Sequence, residues 1–140
     1  MKPTIFGILL QMQGKPKLVV LDDNEIFAAL VVAALEGECD IRVGRNGREG
    51  LQLCLAECPD LLITDIGMPE LDGIQMLHEF QKYSRLSEIP VIVVTATHFT
   101  HRHRSEIESY PQVRGVFCKT EEIDDIVLEI REELNNNTAP

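Results

Sequence analysis

Short apolar runs alternate along the chain with longer stretches in which apolar residues recur every three to four positions. The runs are Lys17-Leu-Val-Val-Leu21, Asp40-Ile-Arg-Val43, Leu61-Leu-Ile-Thr64, Pro90-Val-Ile-Val-Val94 and Gly115-Val-Phe-Cys118. The first, third and fourth are continuous and rich in Val, Ile and Leu, as strands covered on both faces should be. The second alternates apolar and polar residues, which suits an edge strand. Between the runs, Phe27, Leu30, Val31, Ala34 and Leu35 trace one helical stripe. Gly47, Leu51, Cys54, Leu55 and Cys58 trace a second, which Pro59 terminates. Ile74, Leu77 and Phe80 mark a third, and Ile123, Ile126, Val127, Ile130 and Leu134 the last. The segment from Phe99 to Tyr110 is polar and poorly periodic, so a helix there is expected to be short or weakly packed.

Five strands each followed by a helix predict an α/β fold: a parallel sheet with helices on both faces. For a five-stranded chain of this size, the flavodoxin-like, doubly wound order 2-1-3-4-5 fits. The expected organisation is an N-terminal extension over 1–16, one domain over 17–134 and a frayed tail over 135–140. The apolar stretch Ile5 to Leu10 is too short for a membrane span or a signal-peptide core, which makes the cytoplasm the default compartment. The role of Met1 to Pro16 is open between packing on the sheet edge and docking a partner.

With 140 residues the chain is long enough to bury a sizeable core. Its formal net charge of −10 argues against a general affinity for nucleic acid or anionic membrane. Cations, metal-borne phosphate and protein partners stay open. Cys39, Cys54, Cys58 and Cys118 form no CxxC pair and read as reduced, partly buried small hydrophobes.

In a doubly wound sheet, ligands bind beyond the carboxyl ends of the strands. Here those ends carry Asp22-Asp23, Asp65, Thr95 and Lys119, so the conspicuous polar groups share one edge. Three converging carboxylates raise each other's pKa unless a cation compensates. Hard oxygen ligands with room for water and phosphate suit Mg²⁺. With Lys119 to hold a phosphate oxygen, an aspartate oxygen would be able to attack phosphorus. Each piece alone has an ordinary reading: Asn24 after Asp22-Asp23 would cap a helix, and a lysine near a strand end is usually solvated. The agreement of four strand ends is what singles out the set.

The chain resembles the receiver domain of two-component response regulators, single-domain type, from about Lys17 to Leu134. The matching motifs are VLDDN (Val20 to Asn24), TDIGMPELDG (Thr64 to Gly73), VVTA (Val93 to Ala96) and FCK (Phe117 to Lys119). The resemblance implies that Asp65 accepts a phosphoryl group from a histidine kinase or histidine phosphotransfer protein. It implies Mg²⁺ bound directly by Asp23, Asp65 and the Gly67 carbonyl, with Asp22 helping through water. Thr95 would move toward the phosphate and Lys119 pair with it, biasing a surface of the fourth helix, fifth strand and fifth helix toward docking a downstream protein or homodimerising. No turnover beyond the chain's own phosphorylation and autodephosphorylation is implied.

Three departures stand out. Thr120 follows the lysine where the family usually has a cis-proline; a non-proline cis bond costs about 2.5–4 kcal/mol, so either that is tolerated or Lys119 is presented differently. Val116 holds the usual place of the switch aromatic, and alternation points Phe117 to the other face. Thr97-His-Phe-Thr-His-Arg-His-Arg104 reads as a basic loop where more apolar residues are expected. His98, His101 and His103 match no strong metal pattern, a patch for an acidic partner fits better, and a plain loop remains the simplest reading.

The rival readings are a receiver fold that docks without phosphorylation and an aspartate-based phosphohydrolase. The second needs an acid–base Asp two residues after the nucleophile, where Gly67 stands. A flavodoxin lacks support, because Asp22-Asp23 would repel a flavin phosphate.

Overall fold

The computed structural model describes residue 5 and residues 14–138, without the side chains of 97–100, 137 and 138. Most of the expected N-terminal extension therefore lies outside the described residues. The elements run β1 (Lys17–Leu21), α1 (Glu25–Leu35), β2 (Asp40–Gly44), α2 (Gly47–Glu57), β3 (Leu61–Thr64) and α3 (Gly73–Phe80). They continue as α4, a single turn (Ser84–Ser87), β4 (Val91–Thr95), α5 (Thr97–Glu108), β5 (Val113–Cys118) and α6 (Ile123–Thr138). All strand pairs are parallel, and the order is β2-β1-β3-β4-β5. This is the flavodoxin-like, doubly wound arrangement that the alternation of runs and stripes predicts. Among the described residues, no helix is long and apolar enough to cross a membrane.

The two faces of the sheet carry separate cores. Leu18, Val20, Leu61, Ile63, Ile92 and Val94 point to α1 and α6, where they meet Val31, Leu35, Ile126 and Ile130. Val19, Leu21, Leu62, Val91 and Val93 point the other way, against Cys54, Met76, Leu77, Phe80 and Ile107. Alternation along each strand makes both layers from the same short runs. β2 sits at the edge with Val43 half-exposed, as its pattern predicts.

Several boundaries and faces differ from the sequence reading. In α1 the buried stripe is Ala28, Val31 and Leu35, whereas Leu30 and Ala34 face outward. That helix is apolar almost all round, so periodicity could not choose its face; Ile26 remains 71% exposed. On α2 the stripe residues Leu51 and Leu55 pack partly buried against the core, and Gly50 is buried outright, its missing Cβ admitting Leu21 and Met76. Cys39 and Cys54 are buried and their thiols are pushed up by burial, to about 11 and about 12. Cys58 is exposed: it ends α2 in a left-handed conformation (φ 47°) that turns it off the apolar stripe. The polar Thr97–Arg104 segment is the first two turns of the twelve-residue α5 rather than a loop. Helix α6 continues through Asn135 to Thr138, into the segment expected to fray.

Candidate functional site

Backbone pairing continues one residue past three of the strand ends. Asp22 N–H donates to the Gly44 carbonyl (3.1 Å), Asp65 N–H to Leu21 (2.9 Å) and Lys119 N–H to Thr95 (2.9 Å). These bonds level Asp22, Asp65 and Lys119 along one edge of the sheet. Apolar strands thus deliver polar side chains to a common depth. Asp22 and Asp65 are 2% and 6% exposed, Asp23 is exposed, and Thr95 is fully buried.

Asp22 and Asp65 are fixed by local bonds. Asp22 Oδ1 accepts the Asn24 N–H (2.8 Å), and Asn24 caps α1 by accepting the Ile26 N–H (2.9 Å). Asp65 Oδ1 accepts the Ile66 N–H at 2.6 Å and, more loosely, the Gly67 N–H at 3.4 Å. The Asp65 loop then turns through Pro69 and Glu70, the latter at φ 65°, into Asp72, which forms a capping box with Gln75 on α3. Gly73 lies so close to the Asp65 carbonyl and Ile66 that a Cβ would collide with both. A glycine is required there for close approach, not for an unusual φ.

Lys119 closes the site. Its Nζ is 2.8 Å from Asp22 Oδ2, 3.1 Å from Asp22 Oδ1 and 2.8 Å from Asp65 Oδ2. Burial drives the Asp22 carboxyl above its ordinary value, with the Lys119 hydrogen bond opposing and the Asp65 charge adding. For Lys119, burial alone would lower the ammonium pKa, but the hydrogen bonds to Asp22 and Asp65 outweigh it and the net direction is upward.

No peptide bond among the described residues is cis, so Lys119 is presented in another way than by the family's proline. Its backbone is held by the Thr95 carbonyl on one side and by a tight turn on the other. Glu121 N–H donates to the Cys118 carbonyl (2.9 Å), Cys118 N–H to Glu121 Oε2 (3.2 Å) and Thr120 Oγ1 to Cys118 Sγ (3.0 Å). The side chain of Val116 belongs to the core on the α5 side, and Phe117 to the core on the α1–α6 side, as alternation requires. Phe117 lies over Gly115, two residues back on the same face.

Asp22, Asp23 and Asp65 each offer a carboxylate oxygen, and the three lie within 4.8 Å of one another. Asp22 Oδ2 is held by the Lys119 ion pair, without a well-aligned hydrogen bond, and among the described residues the Thr95 hydroxyl makes no hydrogen bond. A buried polar group without a partner costs about 1–3 kcal/mol, so the Thr95 hydroxyl favours a ligand that would satisfy it. Hard oxygen donors with one exposed member fit Mg²⁺. Among the described residues this is the one group of three such ligands, and no histidine belongs to it. His98 has its side chain outside the described residues, and His103 Nδ1 lies 4.0 Å from Glu106 on α5.

The family model of the response regulator receiver domain matches residues 18–131. This chain belongs to that family. The sensor histidine kinase TmoS of Ectopseudomonas mendocina is 28% identical over 82 residues, covering 59% of this chain. This receiver domain spans only 8% of that kinase. The receiver domain of the Francisella response regulator 1452 superposes with a TM-score of 0.75 at 26% identity, over 87% of this chain and 98% of that one. The receiver domain of the sensor histidine kinase PA1611 from Pseudomonas aeruginosa PAO1 shares the fold at 16% identity and a TM-score of 0.75, over 91% of this chain and 100% of its own. That protein is described with a magnesium ion coordinated in its active-site cleft.

The strand-end residues named from sequence thus come together: Asp22, Asp23, Asp65 and Lys119 form one cluster, with Thr95 buried at the adjacent strand end. Gly67 lies two residues after Asp65 in the same loop. Sequence reasoning missed Gly73 as a packing constraint on Asp65; its place in the Asp-Gly pair was the available signal. It also missed the turn that replaces proline after Lys119. Glu121, three residues beyond Cys118, was the clue.

Proposed function

We propose that this receiver takes a phosphoryl group from a phosphohistidine onto Asp65 and signals by phosphorylation-dependent docking. The observation carrying this reading is the convergence of Asp22, Asp65 and Lys119 within hydrogen-bonding reach, beside exposed Asp23. In the transfer, the phosphorus–nitrogen bond of the donor breaks as a bond forms from phosphorus to an Asp65 carboxylate oxygen, and the departing imidazole takes up a proton. Asp23 and Asp65, with the Gly67 carbonyl and with Asp22 through water, would hold Mg²⁺, which supplies charge screening for the phosphoryl oxygens. Lys119 would leave its two carboxylates for a phosphoryl oxygen. The Thr95 hydroxyl, buried and without a partner, would turn to another.

The donor would be a histidine kinase or a histidine phosphotransfer protein. The response would run from Thr95 into α5, β5 and α6, without an aromatic at Val116, toward a downstream protein or a second copy of the chain. The chain would act in the cytoplasm and turn over nothing but its own aspartyl phosphate.

Intact mass after incubation with acetyl phosphate, with and without Mg²⁺, tests the reading on wild type and Asp65→Asn. A Mg²⁺-dependent phosphoryl adduct absent from the variant supports it. An adduct that persists in Asp65→Asn would overturn the assignment of the acceptor. Failure to acquire phosphate from acetyl phosphate or any kinase, together with failure to bind Mg²⁺, would favour phosphorylation-independent docking.

A further inference from the structure

Lys119 meets a third neighbour besides its two carboxylates. Its Nζ stands over the ring of Phe27, 5.9 Å from the centroid. Phe27 lies in the first turn of α1, half-buried against the core shared by α1 and α6. An ammonium at that distance from an aromatic face is attracted by the ring quadrupole, more strongly the less water surrounds it. The Lys119 side chain is only 24% exposed.

The position of the ring is tied to the acidic site. Asp22 Oδ1 holds the Asn24 N–H, and Asn24 caps the helix on which Phe27 is the third residue. The carboxylate that grips Lys119 and the ring beneath it thus share one short rigid segment. The two grips differ in kind. A divalent cation on the carboxylates would compete with the ammonium for the same oxygens, whereas the ring's attraction does not depend on carboxylate charge. With no proline after Lys119, restraint at the side chain gains importance.

We infer that Phe27 is a positioning residue for Lys119, holding the ammonium over the site when the carboxylates are engaged elsewhere. This role rests on the phosphoacceptor reading above for its catalytic meaning, but not for its geometry. The competing explanation is that Phe27 is ordinary core packing, and the side-chain choice separates the two. Phe27→Met keeps the volume and loses the ring; Phe27→Tyr keeps the ring.

The first readout is the chemical shift of the Lys119 ε-methylene in the full chain, with and without Mg²⁺. Ring proximity is expected to displace it in wild type and Phe27→Tyr, and Phe27→Met is expected to abolish the displacement. The second is the rate of Mg²⁺-dependent phosphorylation by acetyl phosphate. Phe27→Met should slow it about threefold, the effect of a partly exposed cation–ring contact, with unchanged Mg²⁺ affinity. The same change in a Lys119→Met background should have no effect. A Lys119 resonance indifferent to Phe27 would overturn the proposal, as would equal slowing in both lysine backgrounds. Wild type that never accepts phosphate would refute the phosphoacceptor reading, while the resonance would still decide the positioning.

Discussion

The loop after β3 and the connection after β4 leave the same sheet edge side by side, and they are held very differently. Asp65 is bound through Oδ1 to the Ile66 N–H, pressed from below by Gly73, and followed by a helix with a complete capping box. That helix, α3, buries Gly73, Met76, Leu77 and Phe80 in eight residues. Thr95 has no hydrogen-bond partner for its hydroxyl, and the helix after it starts at Ala96 with no side-chain cap. Of the side chains described on α5 from 101 to 108, only Ile107 is buried. Under the proposed function, Asp65 would have to be fixed to meet phosphorus in line, and the element after Thr95 would have to be cheap to move. The molecule invests its packing accordingly.

The largest effect that tests this contrast comes from the cores of the two helices. Leu77→Ala on α3 should destabilise the protein by about 3–4 kcal/mol in urea unfolding, the cost of a buried leucine with little relaxation. Ile107→Ala on α5 should cost about 2 kcal/mol, because the exposed side chains flanking Ile107 leave the helix room to settle. Amide exchange should be faster on α5 than on α3 already in the wild type; the reverse order would break the comparison.

Next in size is Gly73→Ala. Its Cβ has no space beside the Asp65 carbonyl, so about 1–3 kcal/mol of overpacking is expected. Phosphorylation by acetyl phosphate should slow as well, since the displaced backbone is that of Asp65, the proposed acceptor. Destabilisation with an unchanged rate would show that the loop yields elsewhere.

Smaller still are the caps. Asp72→Ala should cost about 1 kcal/mol, whereas Ala96→Ser offers a side-chain acceptor at the cap of α5 and should gain up to about 1 kcal/mol. Thermal unfolding measures both, and a neutral Ala96→Ser would mean that the α5 terminus is already satisfied without it.

The smallest effect concerns protons. Because burial holds the Asp22 carboxyl above its unfolded value of 3.8, the folded protein binds the proton more tightly. Stability without divalent cation should therefore fall as pH rises from that value through the raised one. Asp22→Asn should remove this part of the slope in urea titrations, and Mg²⁺ should offset it.

The fixed half of the site is also the half that the sequence declared. Leu61-Leu-Ile-Thr64 followed by Asp65, and Lys17-Leu-Val-Val-Leu21 followed by Asp22-Asp23, place charges at strand ends by apolar patterning alone. The continuous runs and the alternating β2 likewise foretold which strands are central and which is an edge. The α5 segment hid its helix because Thr97–Glu108 has few apolar residues to display a periodic stripe. On α1 the opposite excess, EIFAALVVAAL, concealed which face turns inward. Phe27 shows the same limit from another side. Its stripe position accounts for packing, and only the fold brings Lys119, far along the chain, over its ring.

The outward face of α1 has a practical corollary in how the protein behaves in bulk. Ile26, Leu30 and Val43 are 71%, 46% and 47% exposed around a helix that carries no charge after Glu25. At neutral pH a net charge of −10 sets a collective repulsion against contact through this face. Near the isoelectric point of ≈ 4.8 that repulsion vanishes, and at about 1 M salt it reaches only about 3 Å. Concentrated solutions should then cloud through this face, and replacing Ile26 with lysine should keep them clear.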